Sequence, residues 1–193
     1  MSEVVDGEDW GGRTVEETFT DVTFLEVDMS ELQSNGATFD GCTFKGVRFN
    51  GSTHATTAFV NCTFVRCTFW DTTFEGCKLV GSTFEKCAFS LLKVRGGDWS
   101  FAGLSGADLE SARFEDVRLR EADLSHVKAR SATLTGLDLS GALLLGADLR
   151  EADLRGSDIT SLNPTESKVA DAIVSLDQAI NVARGFGFDV RGD

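Results

Sequence analysis

The side chains with chemical potential are few and poorly placed for catalysis. Cys42, Cys62, Cys67, Cys77 and Cys87, with His54 and His126, are the thiol and imidazole donors a metal or a nucleophilic reaction could use. There is no CxxC pair and only two histidines exist, so the ligand spacing of a zinc site is missing. No serine or cysteine has an arguable base partner, and paired carboxylates such as Glu115-Asp116 read as solvated surface. Gly185-x-Gly187 follows an apolar-periodic segment instead of preceding a helix, so it cannot cradle a phosphate. The terminal Arg-Gly-Asp reads as incidental. The expectation is a protein that is not an enzyme and carries no metal or cofactor.

The cysteines do obey a rule of another kind. Counting back in fives from Ile159 gives Leu154, Leu149, Leu144, Leu139 and Leu134, and the frame runs unbroken to Phe19. Of these 29 positions 26 hold a large apolar residue; the exceptions are Ser34, His54 and Ala129. A second rank lies two places before each centre, and nearly all of it is small or apolar: Val22, Val27, Leu32 and Ala37, then all five cysteines interspersed with Val, Ser and Thr, then mostly alanine. A cysteine in that rank is a small buried hydrophobe. Period five fits neither helix nor strand. It predicts a solenoid whose units bury their faces only by stacking on each other.

Centres are mostly Phe from Phe19 to Phe89 and mostly Leu from Leu104 to Ile159, so one solenoid has two core textures. Residues 1–16 carry no apolar run and read as an acidic tail, residues 17–161 as the solenoid, and residues 162–193 as a C-terminal module. In that module Asn163-Pro164 predicts a helix start. Val169, Ile173, Leu176, Ile180 and Ala183 form an apolar stripe that Gly185 can end, and Phe186, Phe188 and Val190 follow at strand spacing. A terminal coil needs a cover. The stripe plus the Phe tail (Val169, Ile173, Leu176, Ile180, Phe186 and Phe188) points to a homodimer interface, with a cap on a monomer as the alternative. No segment has the character of a secretory signal or the length of a membrane span, so the expected location is the cytoplasm.

Alanine-Asp-Leu repeats such as Ala147–Leu149 and Ala152–Leu154 resemble the pentapeptide repeat proteins, over roughly residues 17–161. That resemblance implies an all-β solenoid, a right-handed quadrilateral β-helix with four pentads per coil. A repeat of twenty has support in the residues as well. It stacks Ser34 on His54, aligns Thr23, Thr43, Thr63 and Thr83, and gathers Gly36, Gly76, Gly96, Gly136 and Gly156 into one corner column. Within the family, an uninterrupted rod with a C-terminal helical module is similar to the MfpA and Qnr group, nearest its mycobacterial MfpA branch. What the likeness implies is a DNA mimic that binds DNA gyrase, modulates or inhibits it and protects it from fluoroquinolones. It would bind no nucleic acid itself.

Charge agrees in sign. The net value is −13, and two opposite sides of the solenoid carry seven acids against three bases and seven against four. The acidic rows expected to meet the partner are Asp108, Glu110, Asp148 and Glu151 on one side, with Asp98, Asp138 and Asp158 opposite. Ordinary solubility also favours net charge. A scaffold for another protein partner is therefore the alternative, because fold alone does not fix function. An ice-binding array on the Thr column is spoilt by its neighbours Leu25, Lys45, Val65 and Glu85.

Overall fold

A computed structural model describes residues 3–191, so the Arg-Gly-Asp terminus lies partly outside the described residues. The chain winds into a four-sided β-solenoid. Each side is a parallel ladder in which residue i pairs with residue i+20, as in Thr23, Thr43, Thr63 and Thr83. Both restricted ranks face inward: the centres and the rank two before them make one continuous core from Trp10 to Ile159. The period of five follows from geometry. Three extended residues make a side, alternate side chains point in, and a two-residue corner turns the chain. The corner residue two past the centre takes a left-handed conformation at every centre from Phe19 to Leu154 except Leu109, where Ser111 does not. Gly36, Gly76, Gly96, Gly136 and Gly156 share one such column, interrupted by Thr56 (φ 48°) and Asp116 (φ 58°), where a side chain bears the strain.

The Phe half is built on stacked rings. Phe24, Phe44, Phe64 and Phe84 lie with successive centroids 4.9, 4.8 and 4.7 Å apart, close to the spacing of neighbouring strands. Three-residue strands dominate here. Among the described residues beyond Arg95 only Arg113–Glu115 and Thr133–Thr135 remain strands, and isolated bridges such as Asp108↔Lys128 connect the other coils. The change of core texture is therefore a change of backbone regularity too.

Both predicted boundaries are corrected. The expected tail, residues 1–16, is part of the solenoid over its described residues 3–16: Val4–Asp6 pairs with Thr23–Leu25, Asp9 bridges Asp28, and Thr14–Val15 pairs with Gln33–Ser34. The offset there is nineteen, because the step from Val15 to Phe19 is four residues instead of five. Val5, Trp10 and Val15 are centres in a frame displaced by one residue. At the other end the solenoid continues past residue 161, with Lys168 bridging Asp148 and Ile173 bridging Asp153. The column Thr14, Gln33, Thr53, Thr73, Lys93, Arg113, Thr133, Asp153 and Ile173 makes a rod roughly 40 Å long at about 4.8 Å per coil.

Asn163-Pro164 is a corner and not a helix start; the Asn163 carboxamide accepts from the Thr165 backbone N–H at 3.0 Å and hydroxyl at 2.8 Å. The helix is Leu176–Gly185, capped by Ser175 with a reciprocal bond to Gln178. It lies over the end of the rod. Gln178, itself buried, donates to the carbonyls of Leu154 at 2.7 Å and Ser157 at 2.8 Å, so it caps these two groups at the end of the ladder. Replacing Gln178 with Ala should leave those carbonyls unpaired and remove half of the capping box. The expected cost is about 1–3 kcal/mol of stability, read as a lowered midpoint in urea. An unchanged midpoint would mean that the cap does not depend on this side chain.

Among the described residues the ladder between adjacent coils is interrupted twice. One break faces Pro164, where no bridge joins Leu143 to Asn163. The other lies inside the rod, where no backbone hydrogen bond joins Lys86–Leu91 to Ser105–Glu110.

Candidate partner-binding surface

Among the described residues one pair has the spacing of a nucleophile and a base. Ser34 Oγ lies 2.7 Å from His54 Nδ1, but both are buried beyond reach of any substrate. Their arrangement is a closed core network. Ser52 Oγ donates to the Phe49 carbonyl at 2.6 Å and so accepts from His54 Nε2 at 3.0 Å. Nδ1 is then the acceptor for Ser34, whose oxygen also meets Thr57 Oγ1 at 2.7 Å. Burial lowers the His54 pKa to about 3, so the ring is neutral. It takes a place in the aromatic column, stacked on Phe74 at 4.9 Å. Among the described residues no three His, Cys, Asp or Glu side chains converge as a metal site.

The surface acids are aligned as the period of twenty requires. Asp98, Arg118, Asp138 and Asp158 follow one another in one column, and Asp108, Lys128, Asp148 and Lys168 in the opposite one. The intervening bases change their meaning. Asp98 is bridged by Arg118 at 2.9 Å, Asp138 by Arg120 at 2.5 Å and Asp148 by Arg150 at 2.6 Å, while Glu151 pairs with Arg130. The Arg150 hydrogen bond holds Asp148 down to about 2, and the Arg130 bond lowers Glu151. Of the seven expected contact acids only Asp108, Glu110 and Asp158 lack an ion pair among the described residues. These rows are alternating charge, not an acidic band.

The uncompensated charge lies elsewhere. Residues 1–40 hold eleven acids against one base, and residues 41–193 twenty against seventeen. Ten of the net thirteen negative charges therefore sit on the first two coils. Asp21, Glu26, Glu31 and Asp40 are all exposed there, and of the eleven acids only Asp28 has a salt bridge among the described residues, to Arg48 at 2.8 Å. Two coils occupy about 10 Å of axis, which is roughly one net charge per ångström, against one per about 1.7 Å in duplex DNA. The rest of the rod carries about one per 10 Å by the same spacing. A running sum of charge along the sequence would have found this end; counting by sides alone hid it.

The proposed self-association residues also separate. Leu176, 76% exposed, and Phe188, 68% exposed, stand out from the end of the rod with Ile173 and Phe186, whereas Ile180 is half-buried. Val169 follows Lys168 and is half-buried in the last coil, in the column of Leu149. A groove of about 630 Å³ opens between the helix and the last coil, lined by Ile159, Leu162, Pro164, Val182 and Phe186 among others.

Pentapeptide-repeat profiles match residues 35–83, 100–136 and 134–163, together more than half of the chain. The chain belongs to the pentapeptide repeat proteins. Its solenoid is like that of a trypsin-treated variant of QnrB1, a plasmid-mediated fluoroquinolone resistance protein. The two share 19% identity over 99% of this chain and 98% of that one, with a TM-score of 0.60. A second trypsin-treated QnrB1 variant gives 17% identity, 98% coverage of each chain and a TM-score of 0.52. HetL, a pentapeptide repeat protein involved in heterocyst differentiation regulation in the cyanobacterium Nostoc, shares 18% identity over 89% of this chain and 88% of its own, with a TM-score of 0.49. No curated protein sequence matches significantly.

Proposed function

We propose that this chain binds DNA gyrase as a rigid, negatively charged substitute for a DNA segment. By doing so it modulates or inhibits the enzyme and protects it from fluoroquinolones, in the manner of the MfpA and Qnr proteins. It works in the cytoplasm by binding alone, with no catalysis of its own. The observation that carries this reading is the charge density of the first two coils, which reaches that of duplex DNA on a straight scaffold. The repeat runs without large loops, which supports the MfpA branch. Docking then centres on the N-terminal coils, with Asp108, Glu110 and Asp158 as secondary contacts.

Such an interface is electrostatic, so affinity for purified gyrase should fall steeply as salt shortens the Debye length from about 10 Å at 0.1 M to about 3 Å at 1 M. Salt-independent binding would contradict charge mimicry, and absence of binding at low salt would contradict the partner. The second reading, a scaffold for a different protein, draws on the arginine-paired rows, which no DNA segment resembles. Retention of an unrelated partner in place of gyrase would favour it.

The same reading includes a homodimer through the C-terminal module. Leu176, Phe186, Phe188 and Ile173 supply an exposed apolar end, and the groove beside Val182 suits a partner's aromatic tail. Two rods joined end to end would place the acidic coils at tips roughly 80 Å apart. Leu176→Glu with Phe188→Glu should give a monomer in sedimentation, since the charges would be buried unpaired in the joint. A wild-type monomer would refute the dimer.

A further inference from the structure

Four of the five cysteines form two vertical pairs, and Cys77 stands apart. Cys42 lies beneath Cys62 and Cys67 beneath Cys87, each twenty residues apart beside a registered ladder, Thr43↔Thr63 and Thr68↔Ala88. Neighbouring Cα atoms in such a ladder are about 4.8 Å apart, inside the span of about 4.4–6.8 Å that a disulfide bridges. The pairs differ in their surroundings. Cys42 and Cys62 are both buried, in coils hydrogen-bonded above and below on that side. Cys87 is partly exposed and lies on the internal break of the ladder, where Lys86–Leu91 has lost its bonds to the next coil. Ala88 beside it is exposed, and the Leu91 N–H turns to the Ser111 hydroxyl at 2.9 Å. The strand Ala88–Ser90 pairs with Thr68–Trp70 alone, the strand that follows Cys67.

We propose that Cys67 and Cys87 are a peroxide-responsive dithiol, with Cys87 the sulfur oxidised first and Cys67 its resolving partner. The Cys87 thiolate attacks one peroxide oxygen; the O–O bond breaks, and the departing hydroxide takes up a proton as water. Cys87 is now a sulfenic acid. Cys67 sulfur then attacks Cys87 sulfur, the S–O bond breaks, and a second water leaves with the Cys67 proton. Two thiols are oxidised and one peroxide is reduced to two waters. The break in the ladder supplies both access and movement. Solvent reaches Cys87 through it, and the freed strand can close the small remaining Cβ separation to the value of about 3.8 Å that a disulfide prefers.

The test uses the full chain. Native protein is pulsed with N-ethylmaleimide, or treated with hydrogen peroxide and then alkylated, and cysteines are mapped by mass spectrometry. Cys87 should be alkylated at least about tenfold faster than the other four. Peroxide should remove two hydrogens from the intact mass and yield a linked Cys67–Cys87 peptide. In Cys67→Ala the same treatment should leave a sulfenic acid at Cys87, trapped by dimedone, with no internal disulfide. Cys42→Ala should change nothing. Equal alkylation of all five, a Cys42–Cys62 link formed as readily, or Cys87 driven to sulfinic acid with Cys67 still free would each overturn the proposal.

Discussion

Phe64→Ala should lower the unfolding free energy by about 3–5 kcal/mol, a large share of the stability of an ordinary domain. The ring is 1% exposed and lies between Phe44 at 4.8 Å and Phe84 at 4.7 Å. It also meets the edges of Phe49 and Phe69, at 5.9 and 5.7 Å. Its removal therefore opens a cavity with aromatic walls above, below and beside it. Those walls are anchored by paired backbone on both sides and have little freedom to collapse, which places the cost toward the upper part of the range. Cys62→Ala removes one sulfur from the same coil and should be mild. Urea denaturation of both variants measures the contrast. Equal costs would mean that the stacked columns do not carry the stability of the Phe half.

The second large effect depends on pH. His54 is fully buried with a pKa lowered to about 3, while an unfolded histidine titrates near 6.5. Between those values the unfolded chain binds a proton that the folded chain does not, so stability rises with pH across this window and is complete above it. At pH 5 the loss relative to pH 7.5 should be about 2 kcal/mol from this residue alone. The ion-paired carboxylates respond lower down. Asp28, lowered to about 2 by its Arg48 hydrogen bond, and Asp148, to about 2 by Arg150, contribute stability that is lost only as pH falls below the ordinary Asp value. His54→Phe should continue the ring column and remove the pH 5–7 slope, whatever it does to the absolute stability. Ser34 and Thr57 would still pair with each other, and Ser52 with the Phe49 carbonyl. Persistence of the slope in that variant would assign it to another group.

The solenoid itself was legible because its two ranks keep their spacing without insertion or deletion from Phe19 to Ile159, and every coil has to satisfy the same geometry. Its ends were not. At the start, one missing residue between Val15 and Phe19 displaces Val5, Trp10 and Val15 from the frame, and the density of acids disguised a coil as a tail. At the finish, Pro164, Val169 and Val174 keep the spacing of five from Ile159, but with Ile173 and Leu176 they also mimic a helical stripe. The Ser175–Gln178 capping box was the sharper signal for where the helix begins. The candidate surface was legible by column and misleading by sign. Periodicity placed Asp98, Asp138 and Asp158 in line, yet whether an arginine one coil away bends back onto a carboxylate depends on side-chain geometry. The break beside Cys87 left no trace in the pattern, since Lys86–Leu91 and Ser105–Glu110 obey the same frame as their neighbours.

The central claim is that DNA-like charge on the first two coils engages gyrase. Its most direct test is inhibition of gyrase supercoiling by the wild type and two neutralised variants, one bearing Asp21→Asn, Glu26→Gln, Glu31→Gln and Asp40→Asn, the other Asp108→Asn, Glu110→Gln and Asp158→Asn. Both should fold as well as the wild type, because exposed charges contribute little to stability. The N-terminal variant should lose at least about tenfold in potency and the second variant much less, because each contact scales with the local field. Equal potency of all three proteins, or no effect of the wild type on supercoiling, would contradict the account.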